Sequence, residues 1–205
     1  FGTEERFRVG NKGGRGVIRV EDGARLNHNA DLWFGGDGGF SVTVKGEASV
    51  LESGSGIFAQ EGPGSNDGFS VEDGGLLRTE QLELSENGGP FKISGAASRV
   101  EVGDGGLRFE NDSLDVVLED VPVDALFSVA GDLEISGTEL KLSLQDRFSG
   151  RRGDVIPLIS ADGRRKGEFA NWADGTAKRI DGFAFEIDYG APEDGRIALR
   201  IRSSP

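Results

Sequence analysis

Apolar and polar residues alternate along most of this chain in short runs of four to six positions. Ile18 and Val20 interleave with Val17 and Arg19, and the same period of two returns at Val42 and Val44, Leu82 and Leu84, and Val100 and Val102. A period of two marks a strand with one face buried, and no segment sustains the 3.6-residue period of a helix. Turn chemistry separates the runs, at Asp22-Gly23, Gly35 to Gly39, Asn66-Asp67-Gly68, Asp73-Gly74-Gly75, Asn87-Gly88-Gly89 and Asp104-Gly105-Gly106.

The strands recur as a phrase. VIRVEDGARL, FSVTVKGEASVL, FSVEDGGLLR and FKISGAASRVEV each hold a strand, a glycine-centred turn and a second strand. Their glycines Gly23, Gly46, Gly74 and Gly95 stand roughly 20 to 30 residues apart, the spacing of a stacked repeat. A hairpin sandwich also makes many short strands, but repetition of one two-strand phrase favours an all-β parallel β-helix, or β-solenoid. Successive coils then lie about 4.8 Å apart, and roughly 7 to 9 of them are expected for this length. Phe40, Phe69 and Phe91, at like places in successive phrases, are expected to stack in one inward column.

Three segments follow. Residues 1–16 read as an N-terminal strand or cap open to exchange between subunits, residues 17–145 as the solenoid, and residues 146–205 as a C-terminal β cap. A Val121-Pro122-Val123 corner interrupts the solenoid, and Leu133, Leu140, Leu142 and Leu144 are expected to close it.

The net charge of −13 opposes a nucleic-acid partner, because phosphate backbones are bound by basic surface. The charges are interspersed, as on a solvated outer face. There are 34 glycines but only 6 prolines and no triplet period, so a collagen-like rod is excluded. Cysteine is absent, which removes disulfides, thiolate metal sites and a cysteine nucleophile. Methionine is absent too, and the start at Phe1 reads as a processed or excised chain. No apolar run reaches the roughly 18 residues of a membrane span, so no membrane insertion is expected of this chain.

Chemistry-bearing candidates are few. His28 is the one histidine, in a surface turn, which restricts histidine-dependent triads and metal pairs. Glu21, Asp22, Glu72, Asp73, Glu101 and Asp104 fall at like places in successive phrases and would line one face of a carbohydrate-active β-helix, although turn chemistry alone also puts Asp beside glycine. Asp37, Asp67 and Asp73 are the calcium candidates, on the ground that hard cations take several oxygens. Otherwise no cofactor is expected. Trp33, Trp172 and Tyr189 are candidates for stacking on sugar rings, against covering the ends of the core. Asn111-Asp112-Ser113 matches the glycosylation sequon.

Two resemblances add to this reading. GFSVTVKGEASVL and GPFKISGAASRVEV resemble the repeats of autotransporter-type passengers. The last 60 or so residues are similar to the strand module that precedes the sorting tail in PEP-CTERM proteins. That likeness is carried by Gly153, Leu158-Ile159, Gly167-x-Phe169, Gly175, Phe185-x-Ile187-x-Tyr189 and Ile197-x-Leu199. The family's Pro-Glu-Pro signal does not appear in these residues. The resemblance implies export from a Gram-negative-type cell and a surface or extracellular life, and it implies no reaction.

The expectation is therefore an exported, non-enzymatic structural or adhesive β-solenoid. Its expected partners are itself, head to tail in filaments, and extracellular polysaccharide. Assembly is expected through Phe1, Phe7 and Val9 at one end and Ile197, Leu199 and Ile201 at the other, since terminal coils expose unpaired strand edges. The alternative is a carbohydrate-active β-helix, either a polysaccharide lyase or a carbohydrate-binding module.

Overall fold

A computed structural model describes residues 7–10, 14–35, 38–59, 68–85, 89–110 and 113–205. The chain begins with β1 (Phe7–Val9), followed by a first coil of β2 (Gly16–Glu21), β3 (Arg25–His28) and β4 (Leu32–Phe34). The next three coils are β5 (Phe40–Lys45) with β6 (Val50–Ala59), β7 (Gly68–Glu72) with β8 (Leu76–Leu84), and β9 (Phe91–Ser94) with β10 (Arg99–Phe109). A fifth coil comprises β11 (Ser113–Leu118), β12 (Phe127–Val129) and β13 (Leu133–Glu134). After it come β14 (Glu139–Leu144), β15 (Val155–Ala161) and β16 (Arg165–Lys166), and then β17 (Ala177–Ile180), β18 (Phe183–Asp188) and β19 (Ile197–Ser203).

The protein is a parallel β-solenoid of about five turns. One sheet stacks β2, β5, β7, β9, β11 and β14 in parallel. The other follows the order β1-β4-β6-β8-β10-β12-β15 and ends in the antiparallel strands β19, β18 and β17. The long strands of this second sheet bend midway, with register shifts between Ser53 and Gly56 and between Val102 and Gly106. Each full coil therefore has three sides. The turn count falls below the seven to nine expected for two reasons. A coil takes 22 to 27 residues, as the register partners Phe69↔Phe91 and Val42↔Phe69 show, and the last strands form the cap instead of coils. Parallel stacking also runs on past residue 145, since β15 pairs with β12 and β16 with β13.

Alternation along the strands becomes columns along the axis. Ile18, Val42, Phe69, Phe91, Leu114 and Leu140 are successive register partners on the inner side of the first sheet. Phe40 stands one pleat away from that column, opposite Gly16, because the loop into β7 shifts the register. Its ring still lies 5.4 Å from that of Phe69, and Phe69 stacks on Phe91 at 5.7 Å. Phe34, Phe109 and Phe127 extend this buried aromatic spine from the second sheet. Burying side chains of this size supplies most of the stabilisation, about 1.5–3 kcal/mol for each.

The turns alternate between two forms. Glu21 to Ala24 and Glu72 to Gly75 are four-residue turns with Asp22 and Asp73 at positive φ (57° and 52°), whereas Gly46 to Ser49 and Gly95 to Ser98 end in a buried serine. That serine ties neighbouring coils together: the Gly23 N–H donates to Ser49 Oγ (3.0 Å) and the Gly74 N–H to Ser98 Oγ (3.1 Å). Gly95 (φ 89°) accepts a conformation that is costly for other residues, and a Cβ there would meet the Asp73 backbone at 3.0 Å. At the bend, Ser53 Oγ donates to the Ala30 carbonyl (2.9 Å) and its register partner Thr79 to the Ser55 carbonyl (3.1 Å), each reaching the preceding coil.

Candidate functional site

Several outward columns carry charges of alternating sign. On the second sheet Arg78 lies between Glu52 (3.9 Å) and Glu101 (2.7 Å), and Arg108 between Glu83 (3.6 Å) and Glu134 (3.5 Å). Lys166 closes the latter column on Glu134. On the first sheet Lys45 separates Glu21 from Glu72 in register, and it pairs with Glu72 at 3.9 Å and Asp73 at 3.3 Å. Lys92 then holds Glu72 at 2.9 Å. Burial pushes the Glu72 carboxyl up, but hydrogen bonds from Ser70 and Lys92 and the charges of Lys92 and Lys45 outweigh it, leaving the group below its ordinary value.

These ladders dispose of the expected carboxylate row. Glu21 and Glu72 do share a column, yet a lysine stands between them, because like charges on adjacent strands repel. Asp22 and Asp73 sit in the turns, Glu101 faces outward from another side, and Asp104 lies in the bend of β10. The six candidates therefore point into no common cleft. Among the described residues no cluster of three or more acidic or histidine side chains is placed to hold a metal ion. Of the calcium candidates, Asp73 is ion-paired to Lys45, while Asp37 and Asp67 lie outside the described residues, as do Asn111 and Phe1.

The aromatic candidates divide. Trp172 and Tyr189 are buried in the cap, which removes them as sugar platforms. Tyr189 Oη donates to the Trp172 carbonyl (2.7 Å) and accepts from the Phe169 N–H (2.9 Å), and Trp172 Nε1 donates to the Thr176 carbonyl (3.0 Å). Burial drives the Tyr189 hydroxyl well above its ordinary pKa, so it stays protonated as a structural donor. Trp33 is half-buried and stacks on Phe58, with centroids 4.6 Å apart and planes 21° from parallel. That spacing is close to the coil rise of about 4.8 Å, so the two rings stack along the axis and cover each other's faces. Phe58 folds back over Gly56, where a Cβ would lie 2.2 Å from its ring.

No family model, curated protein or solved structure matches this chain. The two ends of the stack differ.

The C-terminal end is closed. Ile197, Leu199 and Ile201 are fully buried, and their strand is paired on both sides, with β15 and β18, so none of them offers a free assembly edge. The outermost strand there is β17, whose Lys178 and Arg179 place charge on the edge, a common guard against further pairing. On the other sheet, the Asn171 side chain imitates a strand: its Oδ1 accepts the Leu140 N–H (3.0 Å) and its Nδ2 donates to the Leu140 carbonyl (3.0 Å). Sequence reasoning missed Asn171 because nothing in FANWADG marks an edge cap.

Among the described residues, the N-terminal end carries no cap. No described strand pairs with the outer edges of β1, β2 or β3. Phe7, Ile18 and Leu26 occupy inward columns whose next members Leu32, Val42 and Leu51 are buried, yet Phe7 is 51 % and Leu26 39 % exposed because no described strand covers them. Val17 and Val123 complete the exposed large apolar residues among those described. His28 ends β3 rather than occupying a turn. It is half-buried in the inward column of Ser53 and Thr79, with its ring 5.8 Å from Phe7. Val9 packs into the core at this end.

Proposed function

We propose that this protein is an exported, non-enzymatic structural or adhesive solenoid of the cell surface or extracellular matrix. The observation that carries the reading is the commitment of several outward columns to coil-to-coil ion pairs and of polar side chains at the bend to backbone carbonyls. Side chains used in this way hold neighbouring coils in register, which supports a structural reading. A crevice beside Pro122, lined by Ile93, Leu118 and Leu126, encloses about 10 Å³, room for no more than a water molecule.

Charge distribution supports contact at an end rather than along the flanks. Residues 30–145 hold 22 of the 36 acidic side chains and 6 of the 23 basic ones, so the flanks of the stack repel one another and any acidic polysaccharide. Head-to-tail growth would require the cap at β17 and Asn171 to open. Export rests on the likeness of the C-terminal strands to the PEP-CTERM module. Immunogold labelling of intact and permeabilised cells of the source organism tests the reading, with label expected on intact cells. Label confined to permeabilised cells, or release of sugar fragments when the pure protein is incubated with polysaccharides, would overturn it.

A further inference from the structure

Aspartate is followed by glycine at nine places in this chain, and in such a pair no side chain shields the glycine amide from the aspartate carboxyl. Seven of the nine pairs lie wholly within the described residues. Three of these share one geometry, with both residues at positive φ: Asp22-Gly23 (57° and 77°), Asp73-Gly74 (52° and 90°) and Asp181-Gly182 (49° and 87°). Backbone shape therefore does not distinguish the three, but the glycine amide does. In the stack the Gly23 N–H donates to Ser49 Oγ and the Gly74 N–H to Ser98 Oγ, so each amide is tied to the neighbouring coil. Asp181 and Gly182 instead form the two-residue turn between β17 and β18, flanked by the paired residues Ile180 and Phe183. Both are exposed, and among the described residues nothing accepts the Gly182 N–H. The remaining pairs are held in other ways. The Gly163 N–H donates to the Gly131 carbonyl (3.1 Å) and the Gly175 N–H to the Ile187 carbonyl (3.0 Å). Gly195 is buried, where a Cβ would lie 2.4 Å from the Ala161 carbonyl, and Asp104-Gly105 runs within β10.

We propose that Asp181 is a self-modification site, at which the unheld Gly182 amide attacks the Asp181 carboxyl and converts the residue to isoaspartate. The Gly182 nitrogen bonds to Asp181 Cγ, one carboxyl oxygen leaves as water with the amide hydrogen and the carboxyl proton, and a five-membered succinimide remains. Water then opens the ring at either carbonyl. Opening at Cγ restores aspartate, whereas opening at the main-chain carbonyl leaves the chain running through the side chain as isoaspartate. Water is released once and consumed once, so the mass is unchanged. At Asp22 and Asp73 the same attack first requires the hydrogen bond to the buried serine to break, which slows it. The modification has a consequence at the cap. A two-residue hairpin turn fixes the register of its strands, and isoaspartate adds one atom to the backbone of that turn, so β17 loosens from β18. β17 is the outermost strand of its sheet and carries Arg179 and Lys178, whose Nζ lies 4.9 Å from the centre of the Trp172 ring. Its release bares the edge of β18, so the guard against further pairing weakens as the protein ages. The inference goes beyond the structural reading above and does not rest on it.

Ageing the whole protein at neutral pH tests the proposal, with isoaspartate located by peptide mapping and electron-transfer fragmentation, which tells it from aspartate at equal mass. Isoaspartate is expected to accumulate at Asp181 at least about fivefold faster than at Asp22 or Asp73, the factor that one ordinary hydrogen bond supplies. Ser98→Ala frees the Gly74 N–H, and should speed Asp73 by a similar factor while leaving Asp181 unchanged. Asp181→Gly keeps a glycine pair suited to the same turn and should form no isoaspartate there. In denaturant, where no turn is held, the three sites should react at similar rates. Amide exchange should quicken in β17 of the aged parent but not of aged Asp181→Gly, with β8 and β10 protected in both. Equal rates at the three sites of the folded protein would overturn the proposal. So would absence of isoaspartate at Asp181 when the denatured chain forms it, or an unreactive Asp73 in a Ser98→Ala variant that remains protected in β8 and β10. Unchanged exchange in β17 of the isomerised protein would overturn the consequence at the cap.

Discussion

At the scale of single residues, the stack is held by side chains that satisfy backbone groups between coils. Ser98 is buried, accepts the Gly74 N–H and donates to the Ser94 carbonyl. Ser98→Ala leaves the Gly74 N–H without its acceptor and the Ser94 carbonyl with the Asp73 N–H alone, and chemical denaturation should show a loss of about 1 kcal/mol. Tyr189→Phe should cost a similar amount, because the Phe169 N–H and Trp172 carbonyl lose their shared hydroxyl. Glu72 yields a prediction in pH. Its folded pKa lies below the ordinary value of 4.5, so its contribution is fully present above that value and is lost as pH falls through the folded pKa. Comparing the parent with Glu72→Gln by denaturation across pH, the stability difference should hold constant at neutral pH and shrink below about pH 4.5. A difference that grew on acidification would contradict the lowered pKa. These residues were only partly legible in the sequence. KGEAS and SGAAS recur within the repeated phrases, but which amide each serine accepts depends on the alternation of turn types, visible only once the coils are stacked.

At the scale of elements, the period of two located the strands and the glycines located the turns. Gly23, Gly46, Gly74 and Gly95 all adopt positive φ. What the alternation could not give was register. Phe40 looked equivalent to Phe69, yet it sits one pleat away, because the loops between coils differ in length and the strand pairing follows side-chain fit. The carboxylates failed for a related reason. Spacing from the turn put Glu21 and Glu72 in one column, but Lys45 in the intervening coil converts an acidic row into an ion-pair ladder. Such exposed pairs contribute no more than about 1 kcal/mol each and serve chiefly to keep like charges apart. The capping of β14 was illegible because it depends on one side chain 31 residues away along the chain. Asn171→Ala uncovers the edge at Leu140, and amide exchange should quicken in β14 while β8 and β10 stay protected. Uniform quickening throughout the stack would show that Asn171 supports the whole fold and not one edge.

At the scale of the molecule, the cross-section is nearly constant while the ends are unlike. In a stacked repeat each coil contacts only its neighbours, so stability declines toward any end that lacks a cap. Here the C-terminal end is covered by Phe169, Trp172, Phe185 and Tyr189, whereas the N-terminal end leaves Phe7 and Leu26 half in solvent. Sequence reasoning read residues 146–205 as a cap yet also offered Ile197, Leu199 and Ile201 as assembly residues, since their burial between two antiparallel partners is a property of the folded cap. Residue-resolved hydrogen exchange of the free protein tests this account most directly. It predicts slow exchange in β8, β10, β15 and β19, with the fastest strand amides in β2 and β3. Equal protection at both ends, or faster exchange in β19 than in β2, would contradict a solenoid closed at its C-terminus and open at its N-terminus.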